Sequence, residues 1–208
     1  MKRILLFVMS AVLMCSIFSC SKKSSSSSEK KDIDPIQRKV EGSIYYNELA
    51  GFKFDGGDTW IYADLNSDSW KKLEELGIDN NLENRDLKAH AEAGGLFTVD
   101  VEKYSGEPMD WVKNKIASDD YFSFELSEGE KITLGDTEFL KVTTKATGVK
   151  DEGTLKGLKD YIDDQSFLAA GIYYTACIDD YIVVITRLYG TEKTESDEEF
   201  ESRFSTID

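Results

Sequence analysis

Short stretches of alternating apolar and polar residues recur along the chain, and they predict β-strands. Phe97, Val99 and Val101 alternate with polar residues, so one face of this strand is expected to pack in a core and the other to meet water. Strands are also predicted at residues 44–46, 51–54, 60–63, 131–134, 137–144, 171–178 and 181–188.

Two turn signals join neighbouring strands into hairpins. Gly135 and Asp136 separate one pair of apolar runs, and Asp179 and Asp180 separate the last pair. Residues 181–185 are apolar on both faces, which is typical of a strand that is covered on both sides. We therefore expect this final strand to lie in the centre of a mainly antiparallel sheet.

Helical spacing of apolar residues predicts elements that cover this sheet. Pro108 opens one helix, and Ser196 with Glu199 forms a capping-box pattern at the start of another. Further helices are predicted at residues 68–76, 81–91 and 154–161. The expected fold class is α+β, with a mainly antiparallel sheet flanked by helices on both faces as an α/β/α sandwich.

The first 19 residues have the parts of a secretory signal peptide. Lys2 and Arg3 precede an apolar run at residues 4–18, which is shorter than the roughly 20 residues of a membrane span. Ile17, Phe18, Ser19 and Cys20 then resemble the lipobox of bacterial lipoproteins. The resemblance implies cleavage before Cys20 and attachment of lipid to its thiol. Cys15 follows Met14 and fits the lipobox less well.

Residues 20–35 are predicted to be a flexible tether, because a serine- and lysine-rich segment cannot bury apolar surface. Residues 36–208 are predicted to be one globular domain. Once Cys15 leaves with the signal peptide and Cys20 is acylated, Cys177 is the only remaining thiol. No intramolecular disulfide is then available, so core packing must stabilise the domain.

The charge of the domain excludes one class of partner. The whole chain has 25 basic and 40 acidic residues, and 19 of the basic and 38 of the acidic ones follow residue 33. Such a domain repels phosphate backbones, so nucleic acid is not expected as a partner. The expected partners are a membrane, through the lipid, and an envelope protein or small ligand. The oligomeric state and the choice between inner and outer membrane stay open.

The order of predicted elements resembles the PsbP-like superfamily over residues 44–207. The segment at residues 46–54, YNELAGFKF, carries the resemblance together with Trp60, the closing hairpin and the final helix. This superfamily includes oxygen-evolving-complex subunits, a Ran-binding nuclear import factor and many bacterial lipoproteins. Because its members are mostly non-enzymatic, the resemblance implies a binding or assembly module.

The sequence offers few groupings of residues that could act in catalysis. His90, the only histidine, is expected on a helix surface, and a dyad with Cys177 is the one His–Cys pairing in the predicted domain. Neither Gly-Gly pair has the later glycines and lysine of a phosphate-binding loop. We therefore predict no catalytic residues and no cofactor.

A calcium loop is the closest match to a metal site. Asp64, Asn66, Asp68 and Glu75 occupy positions 1, 3, 5 and 12 of such a loop. Ser69 stands where the loop requires glycine, and Asp68 serves equally well as a helix cap. The expected assignment is no metal, with calcium at these four residues left open.

Acidic pairs provide the alternative function. Paired carboxylates can hydrolyse glycosidic bonds, and pairs occur at residues 119–120, 163–164, 179–180 and 198–199. Trp70 and Trp111 invite a sugar-stacking hypothesis, although both are expected to pack in the core. The sequence predicts a membrane-anchored extracytoplasmic lipoprotein that acts as a non-enzymatic binding or accessory module. The alternative is an extracytoplasmic carboxylate-dependent glycan hydrolase.

Overall fold

The computed structural model describes residues 34–68, 81, 83–91, 95–119, 122–150, 170–189 and 195–207, which all lie in the unit Ile33–Asp208. The strands, in chain order, are β1 (Lys39–Glu41), β2 (Ile44–Asn47), β3 (Phe52–Asp55), β4 (Trp60–Tyr62), β5 (Arg85–Ala91), β6 (Leu96–Lys103), β7 (Phe122–Leu126), β8 (Glu130–Leu134), β9 (Thr137–Val149), β10 (Ala170–Ile178), β11 (Tyr181–Tyr189) and β12 (Phe204–Thr206). The two helices of this region are α1 (Pro108–Ala117) and α2 (Asp197–Ser202).

The strands form two antiparallel sheets whose apolar faces pack together. The smaller sheet has the order β1-β2-β3-β12, and the larger has the order β4-β5-β6-β11-β10-β9-β7, with β8 paired to the start of β9. We call the face of the larger sheet that meets the smaller one the inner face, and the opposite face the outer face. Ring contacts between Phe54 and Phe97 and between Phe52 and Phe139 join the sheets across the inner face.

The predicted hairpins and the central strand are confirmed. β8 and β9 join through Gly135, and β10 and β11 join through a turn in which Asp179 adopts a φ of 52°. β11 is the middle strand of the larger sheet, and residues 182–185 are all fully buried. The antiparallel sheet and the two-sided burial of its centre are therefore as the sequence predicts.

The helix predicted at residues 81–91 is wrong, because Arg85–Ala91 forms strand β5. A register shift between Arg85 and Leu87 turns both Asp86 and Leu87 inward, so the strand lacks a regular alternation of apolar and polar positions. His90 consequently lies on an exposed strand position, not on a helix.

The expected water-facing side of β6 is also corrected. Thr98 and Asp100 are buried on the outer face. Asp100 accepts hydrogen bonds there from Asn81 and Arg85, at 2.9 and 2.5 Å, and it forms an ion pair with Arg85. Thr98 and Asp100 can be buried because they have polar partners at the sheet surface. The alternation of apolar and polar residues along the strand does not indicate these partners.

The prediction that helices cover both faces of the sheet is wrong. In the described part of the chain, α1 packs on the outer face against β7, β9 and β10. The inner face is covered by the second sheet together with the six-residue α2. Neither helix of this part of the chain is long and apolar enough to cross a membrane. The predicted helix at 154–161 lies outside the described residues, as does the helix predicted at 68–76 apart from Asp68.

An aromatic cluster fills the inner core, with Phe200 of α2 at its centre. Its ring centroid lies 5.3 to 6.1 Å from those of five others: Phe54, Trp60, Phe97, Tyr174 and Phe204. All five pairs are tilted or edge-to-face, and aromatic quadrupoles favour such arrangements over a face-to-face sandwich. α2 is thereby fixed to the sandwich by one fully buried side chain.

Buried charges hold the start of α2 in place. The Arg187 guanidinium lies 4.5 Å from the Phe200 ring centroid and donates to Asp197 at 2.9 Å. Glu195 accepts from Trp60 Nε1 at 2.8 Å and from Arg203 Nε at 2.7 Å. The capping box at Ser196 and Glu199 is present as predicted, so α2 begins where its sequence indicates.

We expect Phe200→Ala to lower the free energy of unfolding by about 3–5 kcal/mol, because it leaves a cavity at the centre of the aromatic cluster. Urea denaturation measures the change. Ile61→Ala is the control, since Ile61 is 45% exposed and its truncation should cost less than about 0.5 kcal/mol. Equal losses for the two variants would contradict the central role of Phe200.

Candidate functional site

In the described part of the chain, a groove of about 450 Å³ lies between α1, the β8–β9 hairpin and β10. Four apolar residues contribute to its floor: Met109, Phe139, Leu140 and Ala176. Four charged residues line its rim: Glu107, Glu128, Lys131 and Glu138. We call this region the acidic groove. Cys177 also lines it, close to the N-terminal end of α1.

The groove opens where β9 and β10 separate. Their ladder ends at the pair Leu140 and Thr175, although β10 continues against β11 to Ile178. β8 pairs with residues 137–141 on the opposite edge of β9, where Leu140 and Lys141 have partners on both sides. The end of the β9–β10 ladder leaves a gap between residues 137–139 and 176–178, and residues of both segments line the groove.

Contacts with the smaller sheet explain why β9 leaves β10. At Gly135, with a φ of 62°, an added Cβ would lie 2.6 Å from Cβ of Phe52, so only glycine allows the hairpin tip to approach β3 this closely. Thr137 Oγ1 donates to the Ala50 carbonyl at 2.7 Å. The β8–β9 hairpin is thus held to the inner layer, away from β10.

A second glycine shapes the floor of the acidic groove. Gly129 has a φ of 86°, and a Cβ there would lie 2.9 Å from Leu140 Cδ1 and 3.0 Å from Met109 Cε. The loop before β8 can therefore lie directly on these two apolar side chains. This close approach places Glu128 at the rim.

The rim of the acidic groove is net negative. Lys131 Nζ lies 2.6 Å from Glu138 Oε1, and this partner raises the pKa of Lys131. Glu107 is the N-cap residue of α1, but its side chain makes no capping hydrogen bond. Glu128 is exposed. Three carboxylates therefore face one ammonium group around an apolar floor.

Cys177 does not have the surroundings of a nucleophile. Its exposed thiol donates to the Gly106 carbonyl at 3.2 Å, and partial burial together with Glu107 raises its pKa. A thiol in such surroundings stays protonated near neutral pH. In the register of the sheet, Cys177 is opposite Ile182, and three strand spacings, roughly 14 Å, separate β10 from His90 on β5. The structure does not bring Cys177 and His90 together.

The second concave region is a polar cleft of about 300 Å³ beside β5. Arg38, with a φ of 50°, donates from Nε to the Arg85 carbonyl at 3.1 Å and from Nη1 to Asn66 Oδ1 at 3.2 Å. Asp64 and Asp86 also line this polar cleft. The guanidinium bridges the β4–β5 connection and the backbone of β5.

Asp86 is the most confined carboxyl of the polar cleft, with 1% of its surface exposed. It accepts hydrogen bonds from the Tyr45 hydroxyl, from Asn47 Nδ2 at 3.0 Å and from the Arg38 backbone N–H at 2.5 Å. Burial raises the pKa of Asp86, and the hydrogen bonds oppose that rise. Burial and the neighbouring Asp86 carboxyl also raise the pKa of Tyr45. The fold thus uses this acid to join β2 to β5.

The candidate calcium loop lies only partly within the described residues, because Glu75 is outside them. Asp64 Oδ1 accepts from the Asn66 backbone N–H at 3.2 Å, which is a local turn. Asn66 Oδ1, one of the proposed ligand atoms, accepts from the Arg38 guanidinium. Within the described ranges, no three His, Cys, Asp or Glu side chains converge as a metal site requires.

One member of each acidic pair in the described residues serves local structure. Asp119 accepts from the Phe122 backbone N–H at 2.6 Å, Asp179 forms the tight turn before β11, and Glu199 caps α2. Trp111 packs edge-on to Tyr173, and its Nε1 donates to a carboxylate of β6 at 3.2 Å. Asp120, the pair at 163–164 and Trp70 lie outside the described residues, as does Cys20.

Sequence reasoning missed both the acidic groove and the role of Arg38. The acidic groove arises because two segments distant in sequence separate, which no local spacing signals. Its one local trace is the pair of glycines at 129 and 135, placed on either side of β8. Arg38 and Asp86 are 48 residues apart and meet only in the folded chain.

We expect the stability contributed by Asp86 to fall as pH rises. Because its pKa is raised in the folded chain, the folded state holds the proton more tightly, so stability decreases from about pH 4, near the unfolded pKa, upward through the folded pKa. In urea denaturation, the free energy of unfolding of wild type should therefore exceed that of Asp86→Asn by more at pH 4 than at pH 7. Tyr45→Phe, which removes one donor to the carboxylate, should steepen this dependence. A difference that grows with pH would contradict the assignment.

We expect the melting temperature to be the same in calcium chloride and in EDTA, because a guanidinium already occupies the Asn66 side-chain oxygen. A ligand that binds only the folded state raises its stability. A calcium-dependent rise that Asp64→Asn abolishes would establish the loop as a calcium site.

No protein-family model matches the chain, and no curated protein matches it. Among solved structures, it is similar to the solution structure of cyanobacterial PsbP (CyanoP) from Synechocystis sp. PCC 6803. The TM-score is 0.48 and the identity 11%, with 81% of this chain and 95% of that chain covered.

Proposed function

We propose that this chain is a lipoprotein, anchored through Cys20 on the extracytoplasmic side of a cell membrane, whose domain is a non-enzymatic binding module. The observation that carries the binding role is the acidic groove, an open site with an apolar floor and a charged rim. Ligand sites commonly combine these two properties.

The buried carboxyls support a binding role over catalysis. Asp86, Asp100 and Glu195 each accept hydrogen bonds from at least two groups of the fold. A general acid or base must reach substrate directly or through one water. Carboxyls that are saturated by internal donors are instead typical of structural networks.

The proposed lipid anchor binds strongly enough to hold the protein at a membrane. Each buried methylene contributes about 0.8 kcal/mol, so two or three acyl chains on Cys20 hold a protein stably at a membrane, whereas one chain binds reversibly. The tether at residues 20–35 then separates the domain from the bilayer.

We also infer that the domain is a divergent PsbP-like domain. The segment at residues 46–54 forms the β2–β3 hairpin, Trp60 follows in β4, and the β10–β11 hairpin precedes α2. These elements occur in the order that the sequence resemblance indicates, although the final helix ends at Ser202 and Phe204–Thr206 forms β12. An accessory or assembly role is consistent with this inference.

We expect the intact mass of the protein from the membrane fraction of its native host to correspond to a chain that begins at Cys20 and carries acyl groups. Cys20→Ala should abolish this species, because neither cleavage nor acylation can then occur at residue 20. Cys15→Ala is the matched control, since that residue leaves with the signal peptide. An unmodified chain released into the medium would overturn the anchor, and turnover of a glycan by the purified protein would overturn the non-enzymatic role.

A further inference from the structure

Among the described residues, the end of β10 has no ladder partner on its β9 side, and this free end is the feature of the acidic groove that points to a particular ligand. Ala176, Cys177 and Ile178 pair with β11 on one side, while their ladder to β9 has already ended. Neighbouring residues of a strand direct their N–H and C=O groups to opposite sides. At least one of these three residues therefore directs its backbone polar groups into the gap, where an added strand can pair with them.

The start of β9 offers a second edge across the same gap. Glu138 and Phe139 pair with β8 on their far side. By the same alternation, one of these two residues directs its backbone groups toward β10. The acidic groove thus has strand edges along both walls, which suits an extended backbone better than a compact ligand.

Side chains of the acidic groove select the composition of such a segment. The floor, with Met109 and Leu140, accepts apolar side chains. The rim has three carboxylates against one ammonium group, and Lys131 is already paired with Glu138. Residues of a strand point alternately to its two faces. A segment in which apolar residues alternate with lysine or arginine is therefore complementary to both.

We propose that the acidic groove binds an extended, cationic and apolar peptide segment of an envelope protein by strand addition to the free end of β10. This inference rests on the proposed binding function and names the chemistry of its partner. The backbone supplies hydrogen bonds, and the alternating side chains supply the selectivity, as in other cases of β-augmentation.

Cys177 provides a built-in reporter, because its exposed thiol lies in the acidic groove. The test uses the mature chain in detergent and a blocked seven-residue peptide of alternating lysine and valine. The rate of maleimide addition is read on the proteolytic fragment that contains Cys177, so the state of Cys20 does not affect the result. We expect the peptide to slow addition in a saturable manner and to slow amide hydrogen exchange at residues 176–178.

Two further peptides test the two parts of the proposal. A peptide with glutamate in place of lysine should not protect Cys177, because the rim repels it. A lysine peptide with proline at its central position should bind much more weakly, because proline removes a backbone donor. Equal protection by the glutamate peptide would overturn the charge selectivity, and equal binding of the proline peptide would overturn strand addition.

Matched variants separate the rim from the overall charge of the domain. Glu107→Gln with Glu128→Gln should weaken binding of the lysine peptide by about fivefold, the effect of two partly exposed ion pairs. Glu83→Gln with Glu125→Gln removes the same charge from exposed positions outside the acidic groove and should leave the affinity unchanged. Equal losses in both double variants would overturn a local role for the rim.

The remaining outcomes also decide the proposal. No protection of Cys177 at millimolar lysine peptide would overturn it, yet an acylated Cys20 in the same sample would leave the proposed lipoprotein function standing. If Cys177 is protected from maleimide without peptide, and high salt removes this protection, the chain's own lysine-rich tether occupies the acidic groove. Protection that increases with protein concentration would assign it to a second copy. Either result would overturn a separate envelope protein as the occupant.

Discussion

Burial of the central strand β11 on both faces is the constraint on which the architecture depends. Four consecutive apolar residues, 182–185, have no exposed surface, so each face of the larger sheet needs its own cover. Val183 and Ile185 belong to the inner core shared with the smaller sheet, whereas Ile182 and Val184 are buried outside that cluster. A chain with such a strand cannot form a sheet with one wet face, and two layers around it follow from the hydrophobic effect.

The acidic groove is a consequence of covering both faces with different elements. On the inner side, Gly135 and Thr137 hold the β8–β9 hairpin against β3 and the loop after β2. On the outer side, α1 packs over β7, β9 and β10, and Trp111 meets Tyr173. β9 follows the inner layer at its start, while β10 stays flat against β11. The gap between them lies beneath the N-terminal end of α1.

The elements that were predictable from sequence are those in which one local signal suffices. The β10–β11 hairpin has apolar runs on both sides of a two-residue turn, and α2 has a capping box next to its buried Phe200. The sequence of β5 predicts a helix because a bulge at Asp86 breaks the alternation of apolar and polar positions. Burial of Asp100 depends on Arg85 and Asn81, which reach it from other elements. Tertiary partners of this kind override local pattern, and so the separation of β9 from β10, and with it the candidate site, was not predictable.

Electrostatic selection at the acidic groove must act locally. The Debye length at physiological salt is about 8 Å, so charges that lie farther than this from a ligand are largely screened. The excess of acidic residues over the whole domain therefore cannot select a partner at the acidic groove, because only charges within a few ångströms of the ligand act on it strongly. Glu107, Glu128 and Glu138 surround an apolar floor at that range, and the selectivity of the groove therefore depends on these three carboxylates and not on the acidity of the domain as a whole.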